Sequence, residues 1–227
     1  MTTKQKIKID CLIISDLHLG DEFTRCDELI LVLRKYKFDK LILNGDVLNG
    51  LNFRRLHSEH WNVLSEFRKL SKTCEVIWTH GNHDDMAGDI FNLLGIRTVR
   101  NYSWQASGKT YLAFHGHIFD RFLNNNLIVS SVAFGMYNLI KKIDHLGAVS
   151  EFVHNHNKTW KRNSIEVAKG ALRFAVLKQA NYVFCGHTHQ IYTTEKWGVK
   201  YYNTGAWNEK ESAYITIADG KVELISL

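Results

Sequence analysis

Five short segments carry side chains able to bind cations and move protons: Asp16-Leu17-His18, Gly45-Asp46, Gly81-Asn82-His83-Asp84, His115-Gly116-His117 and Gly186-His187-Thr188-His189. Singly, each reads as a turn, a cap or a satisfied surface histidine. Five endings of the same kind require a shared cause. Carboxylates and imidazoles gathered in one crevice are costly unless paired, and a metal ion is their usual partner. Aspartate oxygen with histidine nitrogen, and no thiolate, suits manganese, iron, zinc or cobalt. A structural zinc site would more often use cysteine and close at four ligands. Seven candidate ligands exceed the needs of one ion. Two ions sharing a carboxylate fit, and two-metal sites are built for displacement at phosphorus.

The elements that must position these groups are legible as apolar runs. Ile7–Ile14 reads as a strand ending at Asp16, and Lys40–Leu43 as one ending at Gly45-Asp46. Val76–His80, Tyr111–Phe114 and Tyr182–Cys185 lead into the other three segments. Helical spacing covers about residues 24–36, where Leu29, Ile30, Val32 and Leu33 recur. It covers about 58–71 as well, with Trp61, Leu64, Phe67 and Leu70 on one face. After His189 the pattern alternates in short β runs at 190–195, 199–203, 213–217 and 222–226. Strands alternating with helices, then a β-rich finish, predict an α/β fold whose sheets are covered by helices. Ligand-type residues at strand ends belong at one rim of such a sheet. The chain is expected to be a single domain spanning 1–227, with a helical cap inserted at about 119–179, too long a stretch for a simple crossover.

Composition is that of a globular protein: 227 residues, 45% apolar and 23% charged. No stretch reaches the roughly 20 apolar residues of a membrane-spanning helix. The start of the chain lacks the apolar core and cleavage site of a signal peptide, so a cytoplasmic location is expected. Four cysteines lie far apart without metal-ligand spacing and are expected as buried, reduced thiols. The net charge of +6 suits an anionic substrate, nucleic acid or a membrane surface alike. Seven of the 12 histidines lie in or beside the polar segments.

The motifs D-x-H, G-D, G-N-H-D, H-G and G-H-x-H, in this order over residues 16–189, resemble those of the calcineurin-like metallophosphoesterase superfamily. The resemblance implies an αββα sandwich, two central mixed sheets flanked by helices. It implies two divalent ions, most readily manganese. Asp16, His18 and His189 would hold one ion, Asn82, His115 and His187 the second, and Asp46 would bridge. The nucleophile would be a hydroxide activated between the ions. His83 would face the phosphoryl group and protonate the leaving oxygen, with Asp84 bonded to its other ring nitrogen. His117 stays open between a supporting, a substrate-binding and a structural role.

Within the superfamily, Ser-Asp-Leu-His-Leu-Gly, the helical insertion and Cys-Gly-His-Thr-His most resemble the UDP-2,3-diacylglucosamine hydrolases and their relatives. This implies a pyrophosphate bond in a lipid-linked nucleotide, acyl chains against the apolar cap stretch Leu127–Ile143, and peripheral contact with the inner membrane face. His83 stands where those hydrolases carry arginine, and His117 where they carry aspartate. The chemistry is therefore expected to be phosphodiester or pyrophosphate hydrolysis. The alternatives are a general phosphodiesterase or phosphatase on nucleotides or nucleic acid, and a non-catalytic binding module. Nucleic acid ranks lower because no aromatic-plus-basic strand platform is evident. Arg54, Arg55, Lys158, Lys161 and Arg162 are candidate phosphate contacts, with a solvated face as the alternative reading.

Overall fold

The computed structural model describes residues 5–84, 87–120 and 158–227. Two sheets form. The first has strand order β11-β10-β1-β2-β3-β4, built from β1 (Ile7–Ile14), β2 (Tyr36–Asn44), β3 (Glu75–Thr79), β4 (Arg97–Val99), β10 (Ala213–Ala218) and β11 (Lys221–Ser226). The second has the order β5-β6-β7-β9-β8, with β5 (Tyr102–Ala106), β6 (Lys109–Ala113), β7 (Tyr182–Cys185), β8 (Ile191–Lys196) and β9 (Val199–Thr204). Strands β1 to β4 run parallel, as do β6, β7 and β9. Antiparallel partners occupy the remaining places, so both sheets are mixed.

The apolar residues divide into three layers, as an α/β/β/α sandwich requires. Helices α1 (Cys26–Lys35) and α2 (Ser58–Leu70) cover the outer face of the first sheet through Leu29, Val32, Leu33, Val63, Leu64 and Phe67. Helix α4 (Lys158–Leu177) covers the second sheet through Ala168, Ala171, Leu172 and Ala175. Between the sheets Cys11, Ile13, Ile42, Ile215 and Ile217 meet Tyr111, Ala113, Tyr182 and Phe184. Strands β1, β2 and β7 are therefore buried on both faces, which is why they read as continuous apolar runs.

The short β4 and β5 were not expected, and neither was the short helix α3 (Gly88–Leu93) that precedes them. The inward face of α2 also differs from expectation. Trp61 is 53% exposed, whereas His60 is buried; its Nδ1 accepts the His57 backbone N–H and its Nε2 lies 3.2 Å from the Asp21 carbonyl. The local cap, reciprocal between His57 and His60, fixes the helix entry and with it the face that turns inward. All four cysteines are free thiols, three of them buried. The apolar stretch Leu127–Ile143 lies outside the described residues. No described helix is long and apolar enough to cross a membrane.

Asn44, at the end of β2, ties the two sheets together at the rim. Its side-chain amide donates to the carbonyls of Phe114 and Phe184, and its oxygen accepts the Thr79 hydroxyl. Asn203, at the end of β9, does the same for the 186–189 segment, donating to the Gly186 carbonyl and the Thr188 hydroxyl. These buried amides satisfy carbonyls that the strands leave behind when they turn away from their ladders.

Candidate metal centre

The five polar segments meet where the carboxyl ends of both sheets converge. Strands β1, β2 and β3 deliver Asp16, Asp46 and the 81–84 turn, while β6 and β7 deliver His115 and His187. Ligand-type atoms converge in three overlapping sets, within each of which they lie inside 4.8 Å of one another: Asp16, His18 and His189; His18, Asp46 and His83; and Asp46, His115 and His187. Asp46 belongs to two of the sets. Asp16, His18, Asp46 and His115 are buried to 1% exposure or less.

Backbone geometry marks the same residues. Nine non-glycine residues among those described have positive φ, and five are Asp16, His18, Asp46, His187 and His189. The left-handed region is uncommon for residues with a Cβ, and its clustering at one locus is the signature of a functional site. Main-chain bonds hold it in place: Asp16 N–H donates to the Gly45 carbonyl, and His18 N–H to that of Asp46.

Three glycines make room for ligands that arrive from other strands. A Cβ on Gly45 would overlap the His115 ring, one on Gly81 the Asp46 carboxylate and backbone nitrogen, and one on Gly186 the Asp16 carboxylate. Gly45 also has φ +85°, but Gly81 and Gly186 do not need left-handed backbone. At those two positions glycine is required by the space a neighbouring carboxylate takes.

The carboxylates organise the backbone as well as the rings. Asp16 accepts the His187 N–H at 2.9 and 3.1 Å, and Asp46 accepts the His83 N–H at 2.9 Å. Asp84 corrects the expectation that it orients the His83 imidazole. Its oxygens accept the backbone N–H of Gly81, Val47 and Leu48, at 2.9, 2.6 and 3.3 Å. Adjacent in the turn, the two side chains diverge: Asp84 is buried under the loop, while the His83 ring is 25% exposed, with its Nε2 4.0 Å from Asp46 Oδ2. Asp84 ties the third polar segment to the second.

The electrostatics suit a cation. Burial alone would lower the His115 pKa, but Asp46 and Asp16 outweigh it and hold the imidazole up at about 10. Burial would likewise raise Asp46, yet His115, His83 and His18 keep it well below the usual carboxylate range. Burial, reinforced by the charge of Asp46, pushes Asp84 up to about 7. Burial and the neighbouring His189 drive His18 well below its ordinary value, which leaves a lone pair free to meet a cation.

His115 tests directly whether these residues fit an ion. Its Nδ1 lies 3.1 Å from the Asn44 carbonyl and is the donor, so Nε2 is the nitrogen that offers a lone pair once its proton leaves. Nε2 is fully buried, 3.1 Å from Asp46 Oδ2, without a directed hydrogen bond. A buried nitrogen beside a carboxylate, in a set of three ligand-type groups, fits a divalent cation. Binding at Nε2 expels the proton that His115 carries at neutral pH. Apparent ion affinity should therefore climb about tenfold per pH unit from neutrality upward, until the imidazole deprotonates unaided near pH 10. Calorimetry in buffers of different ionisation enthalpy should register the released proton, and an affinity flat with pH would place His115 outside the ion's ligands.

The other expected residues fall on and around this cluster. Asn82 is exposed in the turn between Gly81 and His83. The His117 ring lies edge-on to His187 at 6.3 Å and tilted against His115 at 5.6 Å. Arg54 and Arg55 are exposed on a 3-10 turn, with Arg55 against the Gly20 end of the first polar segment. Lys161 and Arg162 are exposed on the first turns of α4, and Lys158 begins that helix. Sequence reasoning missed Asp120, 2.8 Å from His187 Nε2, and Glu209, 3.9 Å from His189 Nδ1. Asp120 carried a faint signal, a carboxylate three residues beyond His117. Glu209 carried none.

Two stacked mixed sheets with carboxylate and imidazole ligands at their shared rim define a metallophosphoesterase sandwich. The family model "Calcineurin-like phosphoesterase" matches residues 9–191, and the chain belongs to that family. No curated protein matches the sequence. Among solved structures, a novel archaeal phosphodiesterase superposes with a TM-score of 0.52 at 16% identity, over 96% of this chain and 99% of that one. Vacuolar protein sorting 29 from Cryptosporidium parvum gives 0.50 at 14% identity, over 96% and 97%. At such identities the likeness is one of fold.

Proposed function

We propose that this chain is a dinuclear-metal-dependent hydrolase of a phosphodiester or pyrophosphate bond. The observation that carries the reading is the linkage of the ligand sets: His18 joins Asp16 and His189 to Asp46, and Asp46 joins them to His115 and His187, the arrangement two ions with a common carboxylate need. Asp16, His18 and His189 would hold one ion, and His115 and His187, with Asn82, the other. When bound, two such ions supply Lewis acidity toward the phosphoryl oxygens and acidify water at neutral pH. The donor set suits manganese, with iron, zinc and cobalt as competitors.

The chain's own residues do the rest. His83 occupies the least buried side of the cluster, where a substrate must approach. Its backbone N–H is locked to Asp46, so the ring moves with the bridging carboxylate and can deliver a proton to the leaving oxygen. Arg55, over the first polar segment, is placed to neutralise a distal phosphate.

For the substrate, a lipid-linked nucleotide is favoured by an apolar groove of about 590 Å³ that opens beside Leu48, two residues past Asp46. Phe53, Leu56, Trp61 and Leu64 line it, and Arg68 reaches it from α2. The neighbouring turn carries Arg54 and Arg55. Cations beside an apolar groove suit a molecule that joins a charged part to an apolar one.

The test is metal content of the purified protein by mass spectrometry, followed by hydrolysis of an aryl phosphodiester with added manganese. Two ions per chain and metal-dependent turnover are expected. A chain that binds no ion and turns over nothing would sink the reading. Turnover on nucleotides but not on lipid-linked ones would keep the hydrolase and remove the lipid.

A further inference from the structure

We propose that Asp120 is a positioning residue for His187, accepting its Nε2–H so that Nδ1 presents a fixed lone pair to the ion shared with Asp46 and His115. This rests on the dinuclear reading above and adds a residue that none of the five polar segments contains.

Three elements converge on the contact. His187 follows β7, and its backbone N–H is already committed to Asp16, so only rotation of its ring is left to settle. Asp120 closes the 3-10 turn His117–Phe119 that continues from His115-Gly116-His117, with its N–H on the His117 carbonyl. Gly116, at φ +106°, lets the chain fold back sharply enough to form that turn. Asn163, on α4, donates to the same carboxylate oxygen at 2.6 Å, and that oxygen lies 2.8 Å from His187 Nε2.

The carboxylate is held from behind as well. Phe119 packs so closely on Gly170 of α4 that a Cβ there would overlap its ring. Phe119 also meets Phe114 and Phe174 at centroid distances of 5.8 and 6.2 Å. Asp120 is only 4% exposed, so its charge has no role in solvent. A buried carboxylate that shares a proton with an imidazole fixes which ring nitrogen is free and increases its basicity. One segment, 115–120, therefore supplies a ligand, His115, and the brace for another, His187.

The experiment reads the imidazole directly. Nitrogen-15 spectra of histidine-labelled, metal-stripped protein should show His187 as the Nε2–H tautomer, and Asp120→Ala should convert it to a tautomer mixture. Asp120→Asn, whose oxygen still accepts, should restore most of the wild-type signal. By titration with manganese, Asp120→Ala should weaken one of two ions about 10–100-fold and leave the other unchanged, with Asp120→Asn in between. Circular dichroism and the melting temperature establish that the variants fold. An unchanged tautomer in Asp120→Ala would overturn the brace while leaving the hydrolase intact. Failure of the wild-type chain to bind any ion would remove the hydrolase, and the tautomer signal would still decide the Asp120 contact.

Discussion

Replacing His83 with alanine should lower turnover of a phosphodiester about 10²–10⁴-fold while the protein keeps both ions, the loss typical of a general acid. The geometry makes the outcome informative because it leaves His83 two roles. Its ring nitrogen belongs to the set with His18 and Asp46, close enough to serve as a ligand. Yet it is the least buried member, while His18 and Asp46 are sealed. A ligand lost from the set lowers occupancy, whereas a lost proton donor lowers rate at full occupancy. Mass spectrometry of the variant alongside its kinetics separates the two. A drop in metal content matching the drop in rate would move His83 from acid to ligand. Substrates with a better leaving group should be hurt less by the variant if its role is to protonate the leaving oxygen.

Gly81→Ala should be as damaging to ion binding as removing a ligand, although glycine coordinates nothing. The new Cβ would overlap both the carboxylate and the backbone nitrogen of Asp46. Rotating the Asp46 side chain relieves only half of that clash, so the loop 45–48 must move. That loop is held by the Asp84 carboxylate through Val47 and Leu48 N–H, and its displacement breaks those bonds too. Overpacking of this kind costs about 1–3 kcal/mol of stability. Because Asp46 is shared between two ligand sets, both ions should be lost together. A variant that melts lower but still carries two ions would mean the loop yields without disturbing the bridge.

Much of this was readable in advance, for definable reasons. Strands buried on both faces lack alternation and announce themselves as apolar runs, so β1, β2, β3 and β7 were visible, and the polar residues at their ends with them. The short β4 and the half-exposed β5 carry neither a long run nor a clean face. Trp61 misled because hydrophobicity is a property of the residue, whereas the face α2 buries is chosen by its cap. Asp84 misled for a related reason. A carboxylate beside a histidine in sequence suggests a pair, but in a tight turn adjacent side chains point apart, and the buried one is claimed by nearby N–H groups. Asn44 and Asn203 could not be seen at all, and Asp120 only faintly. The partners of Asn44 lie up to 140 residues away and meet it through the packing of the two sheets, whereas Asn203 and Asp120 meet theirs only where neighbouring strands of the second sheet end side by side.

The division of ligands between the sheets also fixes an order of events. When a growing chain has passed Asp84, three of the five ligand-bearing strands exist, but the carboxylate of Asp16 still awaits the N–H of His187, 171 residues after it. Ser15 awaits Thr204, and the Asp16 carbonyl awaits Trp207. The left-handed turns at 16 and 18 are pinned early by the carbonyls of Gly45 and Asp46, but the rest of their restraints comes only once the last strands arrive, and closing so long a loop is slow. Completion of the candidate ion site belongs to the end of folding, and a nascent or truncated chain exposes half a rim with no partner. Completion of the metal centre is in effect a report that the whole sandwich has closed.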